Sequence, residues 1–254
     1  MRSTTILAAL CAATALTLTA CGTDGTGPHK DAPAKGSAPA KETTSAPGIE
    51  ALTGPQIINR ALKTTKSATS LTIDMDAIID GAPMKYHMSS DNKGECTGRM
   101  TVDGGTVRLI KTGHTAYMKY DAAFWRSQGG KDGEAAAKLI GDRWTKADAS
   151  GADAKDLTAM CDSDQLLAGF SAADNAARKG GPATVDGRPA ITVTESEGDE
   201  TYTAYIATEG KPYLLKLVTK GGKEPGTLRL GDFDRPVGAK APTGDIVDLD
   251  TLGD

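Results

Sequence analysis

Ser70-Leu71-Thr72-Ile73-Asp74-Met75-Asp76-Ala77-Ile78-Ile79 is the stretch on which the reading of the fold turns. Leu71, Ile73, Met75, Ala77 and Ile79 fall on one face; Thr72, Asp74, Asp76 and Ile78 fall on the other. A period of two marks a strand with one buried and one wet side. Gly81-Ala82-Pro83 breaks the run, and the pattern resumes with Met84, Tyr86 and Met88 set against Lys85, His87 and Ser89. Residues 91–94 predict a turn. Beyond it Cys96, Met100 and Val102 alternate with Glu95, Thr97, Arg99 and Thr101. Asp103-Gly104-Gly105 is a hairpin signal. Residues 107–111 and 116–120, joined through Thr112-Gly113, then complete a meander of about five strands.

Outward from this meander the period changes. Upstream, Pro55 suits a first helical turn, and Ile57, Ile58, Ala61 and Leu62 form an apolar stripe to about Lys66. Downstream, residues 121–128, 134–140, 154–160, 165–170 and 172–178 read as short helices, with a brief strand at Arg143-Trp144-Thr145-Lys146. Strands return at 190–194, 201–207, 213–219 and 227–230, separated by Gly or Pro turns. The order is helix, meander, helices, second meander. That predicts an α+β fold with an antiparallel sheet and its helices on one side.

The first twenty residues read differently. Arg2 precedes an apolar run from Ile6 to Leu18, too short and wrongly flanked for a membrane span. It reads as a secretory signal peptide. Leu18-Thr19-Ala20-Cys21 resembles a bacterial lipobox, which implies cleavage before Cys21 and attachment of a diacylglyceryl group to its sulfur. An ordinary signal peptide cut near Ala20 is the alternative. With acylation, the cell membrane is a partner through Cys21, each buried methylene contributing about 0.8 kcal/mol. The protein then sits on the outer face of the cytoplasmic membrane. Residues 21–53 are mostly Gly, Pro, Ala, Ser, Thr, Lys and Asp, with almost no large apolar side chain before Ile49, and predict a disordered tether. The expected organisation is a signal peptide over 1–20, the tether over 21–53, one folded domain over 54–235 and a mostly disordered tail over 236–254.

Charge and cysteine content narrow the function classes. The chain has 29 basic and 33 acidic residues, a net charge of −4, and loses one more basic residue with Arg2. An acidic chain argues against a nucleic-acid partner. Of four cysteines, Cys11 leaves with the signal peptide and Cys21 is acylated. Cys96 and Cys161 remain, and in an exported protein such a pair predicts a disulfide. Closing that loop is worth roughly 4 kcal/mol in the chain-entropy picture. A metal pair or a redox couple would call for a CxxC or a nearby histidine pattern, and neither accompanies them.

Several motifs look chemical. Ser90-Asp91-Asn92-Lys93 contains both S-x-x-K and S-D-N, and Lys111-Thr112-Gly113 is a K-T-G, the elements of penicillin-recognising enzymes. Here the first two overlap in one turn, and overlapping residues cannot serve as nucleophile and proton relay at once. His29, His87 and His114 have no metal spacing and read as solvated. The carboxylate pairs Asp74/Asp76, Asp162/Asp164 and Asp232/Asp234 do not continue into a calcium loop and read as wet faces. The expectation is a non-enzyme with no metal and no cofactor.

Between about Leu52 and Phe233 the chain resembles the LppX/LprG family of mycobacterial lipoproteins, which share the half-barrel of LolA-type lipid carriers. The opening helix followed by Ser70-Leu71-Thr72-Ile73-Asp74-Met75 carries the likeness. So do Gly98 ahead of Met100-Thr101-Val102-Asp103-Gly104-Gly105, Val107-Arg108-Leu109-Ile110, and Ala116-Tyr117-Met118-Lys119 ahead of Phe124-Trp125. The late pair Thr203-Ala204-Tyr205-Ile206-Ala207 and Lys211-Pro212-Tyr213-Leu214-Leu215-Lys216 completes it. A composition rich in Ala, Gly, Thr and Asp resembles that of high-GC actinobacteria. The family implies a strongly curved antiparallel sheet covering short helices, with a hydrophobic cavity for a lipid or other amphiphile. Leu71, Ile73, Met75, Ile79, Met84, Tyr86, Met88, Met100 and Val102 are the candidate lining residues. Met75, Met84, Met88 and Met100 on one face admit two readings, a pliable cavity wall or filler in a core short of aromatics. A filled core would instead make the domain a non-enzymatic protein–protein interaction module of the envelope, its protein partner unspecified by the sequence. The Cys96–Cys161 pair is no part of the family pattern; it would pin a strand to a central helix.

Overall fold

The computed structural model describes residues 48–102, 104–127, 130–152, 154–168, 170 and 176–251. The expected signal peptide, Cys21 and most of the expected tether lie outside them.

Helix α1 (Gly54–Lys66) opens the domain. The Thr53 backbone N–H donates to Gln56 Oε1 at 3.0 Å, and Pro55 occupies the first turn, where its missing N–H costs nothing. Ile57, Ala61, Leu62 and Thr65 are its buried face. The predicted meander follows as β1 (Ser70–Ile79), β2 (Ala82–Asp91), β3 (Cys96–Val102), β4 (Gly105–Thr112) and β5 (Thr115–Tyr120). The helical middle comprises α2 (Ala122–Ser127), α3 (Gly130–Ile140), α4 (Lys155–Ala159) and α5 (Ser163–Ala168), with strand β6 (Trp144–Asp148) between α3 and α4. The second meander is β7 (Arg178–Val185), β8 (Arg188–Glu197), β9 (Glu200–Ala207), β10 (Leu214–Lys220) and β11 (Gly226–Gly231). A short β12 (Ile246–Asp248) comes last.

All twelve strands form one curved, unclosed sheet in the order β12-β6-β5-β4-β3-β2-β1-β11-β10-β9-β8-β7. Every pairing is antiparallel except β12 on β6. Strand β1 is the seam: β2 pairs with one edge of it and β11 with the other, so the two meanders meet there. The α+β class and the half-barrel sheet are as expected. Among the described residues no helix is long and apolar enough to cross a membrane.

Three segments depart from the sequence reading. Arg178 was expected to end a helix over 172–178, but it begins β7; residues 171–175 lie outside the described residues. Strand β7 was not foreseen, because Gly180-Gly181-Pro182 reads as a break. The ladder with β8 does shift register between Lys179 and Pro182. Proline is tolerated there because β7 is an edge. In the terminal segment expected to be mostly disordered, Ile246–Asp248 pairs with Trp144, Thr145 and Lys146. Arg143 to Asp245 at 3.1 Å and Lys146 to Asp248 at 2.8 Å hold it, and the Asp148 backbone N–H donates to Asp250 Oδ2 at 3.0 Å. These are long-range polar ties that leave no local period to read.

Candidate apolar pocket

Cross-strand partners in an antiparallel ladder share a face. The registers therefore define rows running across the sheet. One row reads Val193, Ala204, Leu217, Leu228 and Met75, on β8, β9, β10, β11 and β1. The next row toward the strand ends reads Glu195, Tyr202, Thr219, Gly226 and Ala77. Helix α1 packs over this part of the sheet, contacting β7 to β10. Between Ile58, Ala61 and Leu62 of α1 and these two rows lies a pocket of about 480 Å³, with Phe170 and Ile79 also in its wall. On the other side of the first row Ile73, Leu230 and Ile206 are buried core, and buried Leu214 forms the pocket's edge. There β10 shifts register against β9, and the Leu214 N–H is taken by buried Thr65 Oγ1 at 3.0 Å, fastening α1 to the sheet.

Small residues make the space. Gly226 has no alternative, since a Cβ there would come within 2.5 Å of the Ala77 Cβ. Ala77, Ala204 and Gly226 together leave room where Leu or Val would fill it. At the mouth the lining turns acidic, with Glu195, Glu197 and Glu224. Tyr202 OH donates to Glu200, and that bond together with the nearby acidic charge pushes the phenol up to about 12. The pocket is thus apolar within and carboxylate-rich at the opening.

The first row continues past Met75 as Tyr86, Met100, Val107 and Tyr120 on β2 to β5, but the pocket does not. Tyr86 is buried, and its hydroxyl donates to the Met160 carbonyl oxygen at 2.6 Å. Burial also raises its pKa. Met160 follows α4 and precedes Cys161, which is disulfide-bonded to Cys96 with Cα atoms 5.5 Å apart. The bridge was an expectation of the sequence, and the structure contains it. It joins β3 to the helical segment, and Ala149, Ala154 and Leu167 pack with Met88, Leu109 and Met118 beneath.

Of the expected lining residues, the structure gathers Met75 and Ile79 at the pocket. Leu71, Ile73, Tyr86 and Met88 lie in the packed core, and Met100 is half-buried against it. Met84 is half-buried on β2, its backbone paired with that of Val102, and does not line the pocket. The lining from α1 and β8 to β11 was not foreseen. Its signal is the run of small apolar residues at alternate positions of the second meander, which acquires meaning only once β11 is known to pair with β1.

The motifs resembling enzyme elements build turns. Asp91 Oδ1 accepts from the N–H groups of Lys93 and Glu95, and Lys111 Nζ donates to the Gly94 carbonyl at 2.6 Å. Asp74 and Asp76 are on the wet face but paired: Asp74 with His87 Nδ1 at 2.6 Å, Asp76 with Lys85 at 3.1 Å. His87 is therefore not simply solvated. Asp234, expected on a wet face, is also engaged. It accepts from Lys211 Nζ and Tyr213 OH, both at 2.7 Å, and from the Thr69 N–H at 2.9 Å. Lys211 and Tyr213 hold its carboxyl well below the usual range.

No protein-family profile and no curated protein matches the sequence. Among solved structures the chain is similar to LprF from Mycobacterium bovis, at 15% identity and a TM-score of 0.52, covering 75% of this chain and 97% of that one. It is also similar to the Mycobacterium tuberculosis lipoprotein LppX, at 16% identity and a TM-score of 0.47, covering 73% of this chain and 97% of that one. Twelve strands in one curved, unclosed sheet with short helices against it are the fold of the LppX/LprG lipoproteins, and that fold is the one this chain adopts.

Proposed function

We propose that the protein is a lipid-anchored envelope protein that holds the apolar part of a lipid or other amphiphile in the pocket between α1 and strands β1 and β8 to β11. The observation that carries this reading is the pocket itself. Protein interiors close-pack, yet here Met75, Leu228, Leu217, Ala204 and Val193 face α1 across about 480 Å³ of space. That volume falls within the ~300–1,000 Å³ of small-molecule sites. The acidic mouth disfavours an anionic headgroup beside it. The lipobox-like Leu18-Thr19-Ala20-Cys21 and the LprF-like fold support the envelope setting. The interaction-module reading requires an exposed apolar patch; among the described residues Leu139 is the one large exposed hydrophobic.

Protein purified from its own envelope and examined by native mass spectrometry should carry a co-purifying amphiphile, and a fluorescent single-chain probe should bind the delipidated protein saturably. A ligand-free preparation that also takes up no probe would refute the pocket reading. Cys21→Ser should move the protein from the membrane fraction to the medium. Retention of that variant after a high-salt wash would show a different anchor.

A further inference from the structure

We propose that Tyr86, held by its bond to Met160 and by the adjacent Cys96–Cys161 bridge, is a partition that limits the pocket to a single acyl chain. The inference rests on the pocket-binding reading and deepens it by naming the ligand class: single-chain amphiphiles rather than diacyl or triacyl lipids.

The argument is geometric. The inner row crosses nine strands in unbroken register, from Val193 on β8 to Tyr120 on β5. Only the five strands from β8 to β1 border the pocket. With neighbouring strands ~4.8 Å apart, that trough is about 19 Å long. Carbon–carbon bonds of ~1.5 Å at angles of ~111° advance an extended alkyl chain by about 1.25 Å per carbon, so roughly fifteen carbons fit along it. The trough therefore takes one extended chain along its length.

A second chain would need the β2 to β5 half of the row, and buried Tyr86, paired with pocket-lining Met75, is the first residue of that half. The ring comes from the strand next to Met75, and its hydroxyl meets the Met160 carbonyl at 2.6 Å. Ring swing alone would leave a part-buried hydroxyl and carbonyl without each other. Moving Met160 instead requires moving Cys161, which the disulfide fixes to β3. A hydrogen bond and a covalent bridge therefore both hold the row at the residue that follows Met75.

The test uses the mature protein and two fluorescent probes with one headgroup and one labelled chain length, lysophosphatidylcholine and phosphatidylcholine. The wild type should bind the single-chain probe at least about tenfold more tightly. Tyr86→Ala should bring the two affinities within about threefold of each other, chiefly by tightening the diacyl probe. If Tyr86→Ala does not fold, the Cys96→Ala/Cys161→Ala double variant, assayed below its melting temperature, should narrow the gap in the same direction. Equal binding of both probes by the wild type overturns the partition and leaves the pocket reading standing. Discrimination that survives in the folded variants overturns it as well. Binding of neither probe removes the pocket reading and this inference with it.

Discussion

On the β2 to β5 side of the seam, the inner row carries Tyr86, Met100, Val107 and Tyr120. On the β11 to β8 side it carries Leu228, Leu217, Ala204 and Val193, flanked by Gly226 and Ala77. The covers differ in the same sense. The first half is capped by the α4–α5 segment, which a disulfide draws onto β3. The second half is capped by α1, which is fastened by Thr65 at one end and meets the residue 177 backbone at Gly54, where a Cβ would come within 2.3 Å of the Ala177 carbonyl oxygen. Continuous register therefore does not make a continuous cavity. Space opens where small side chains meet a cover secured at its ends, and closes where large ones meet a cover secured at its middle.

The sharpest way to break this contrast is to cut the bridge. Cys96→Ala should lower stability by about 2–5 kcal/mol, measured by denaturant unfolding under oxidising conditions. Single-chain probe binding should persist, because no residue of the bridge touches the pocket. A loss of stability below about 0.5 kcal/mol, or two free thiols in protein from the native envelope, would mean that the first half holds its cover without the disulfide.

Two methionines on the same row separate the halves more finely. Met75 and Met100, two strands apart, both pack against the core, but Met75 also lines the pocket and Met100 does not. Met100→Trp should overpack and cost roughly 1–3 kcal/mol while leaving probe uptake intact. Met75→Trp should cost less than that and abolish uptake, because the indole occupies the ligand's space. A thermal melt and a titration on each variant decide it. Equal destabilisation with no change in binding would show that the pocket is not where ligand goes.

How much of this was legible in the chain follows from the range of each signal. The first meander was readable because Leu71 to Val102 alternate over consecutive residues, and alternation is local. The disulfide was readable because, with Cys11 assigned to a signal peptide and Cys21 to an acylation site, one pairing is left. The pocket was half legible. Methionines drew attention to β1 to β3, but only Met75 and Ile79 of the expected lining border the space. The rest depends on β1 pairing with β11, some 150 residues onward, and no local period carries that register. Strand β12 escaped for the same reason, its three residues being placed by ion pairs to Arg143 and Lys146.

The open half has its own fastening, polar where the other is covalent, and this gives the smallest of the expected effects. Asp234 gathers Thr69, just beyond α1, with Lys211 and Tyr213, just ahead of β10. Tyr213 in turn stacks on Phe233, with ring centroids 3.9 Å apart. Asp234 is partly exposed, so solvent screens the tie. Its carboxyl is held below the ordinary value by Lys211 and Tyr213, and an unfolded-state Asp titrates near ~3.9. A depressed folded-state pKa means the stabilisation is fully present above the unfolded value. It is lost as pH falls below about 4, because the unfolded chain binds the proton first. Asp234→Asn should therefore be less stable than the wild type at neutral pH, and the two should converge as pH falls from about 5 towards 2. Denaturant midpoints across that range measure it. A gap that does not change with pH would assign the tie to packing of Tyr213 on Phe233 and not to the carboxylate charge.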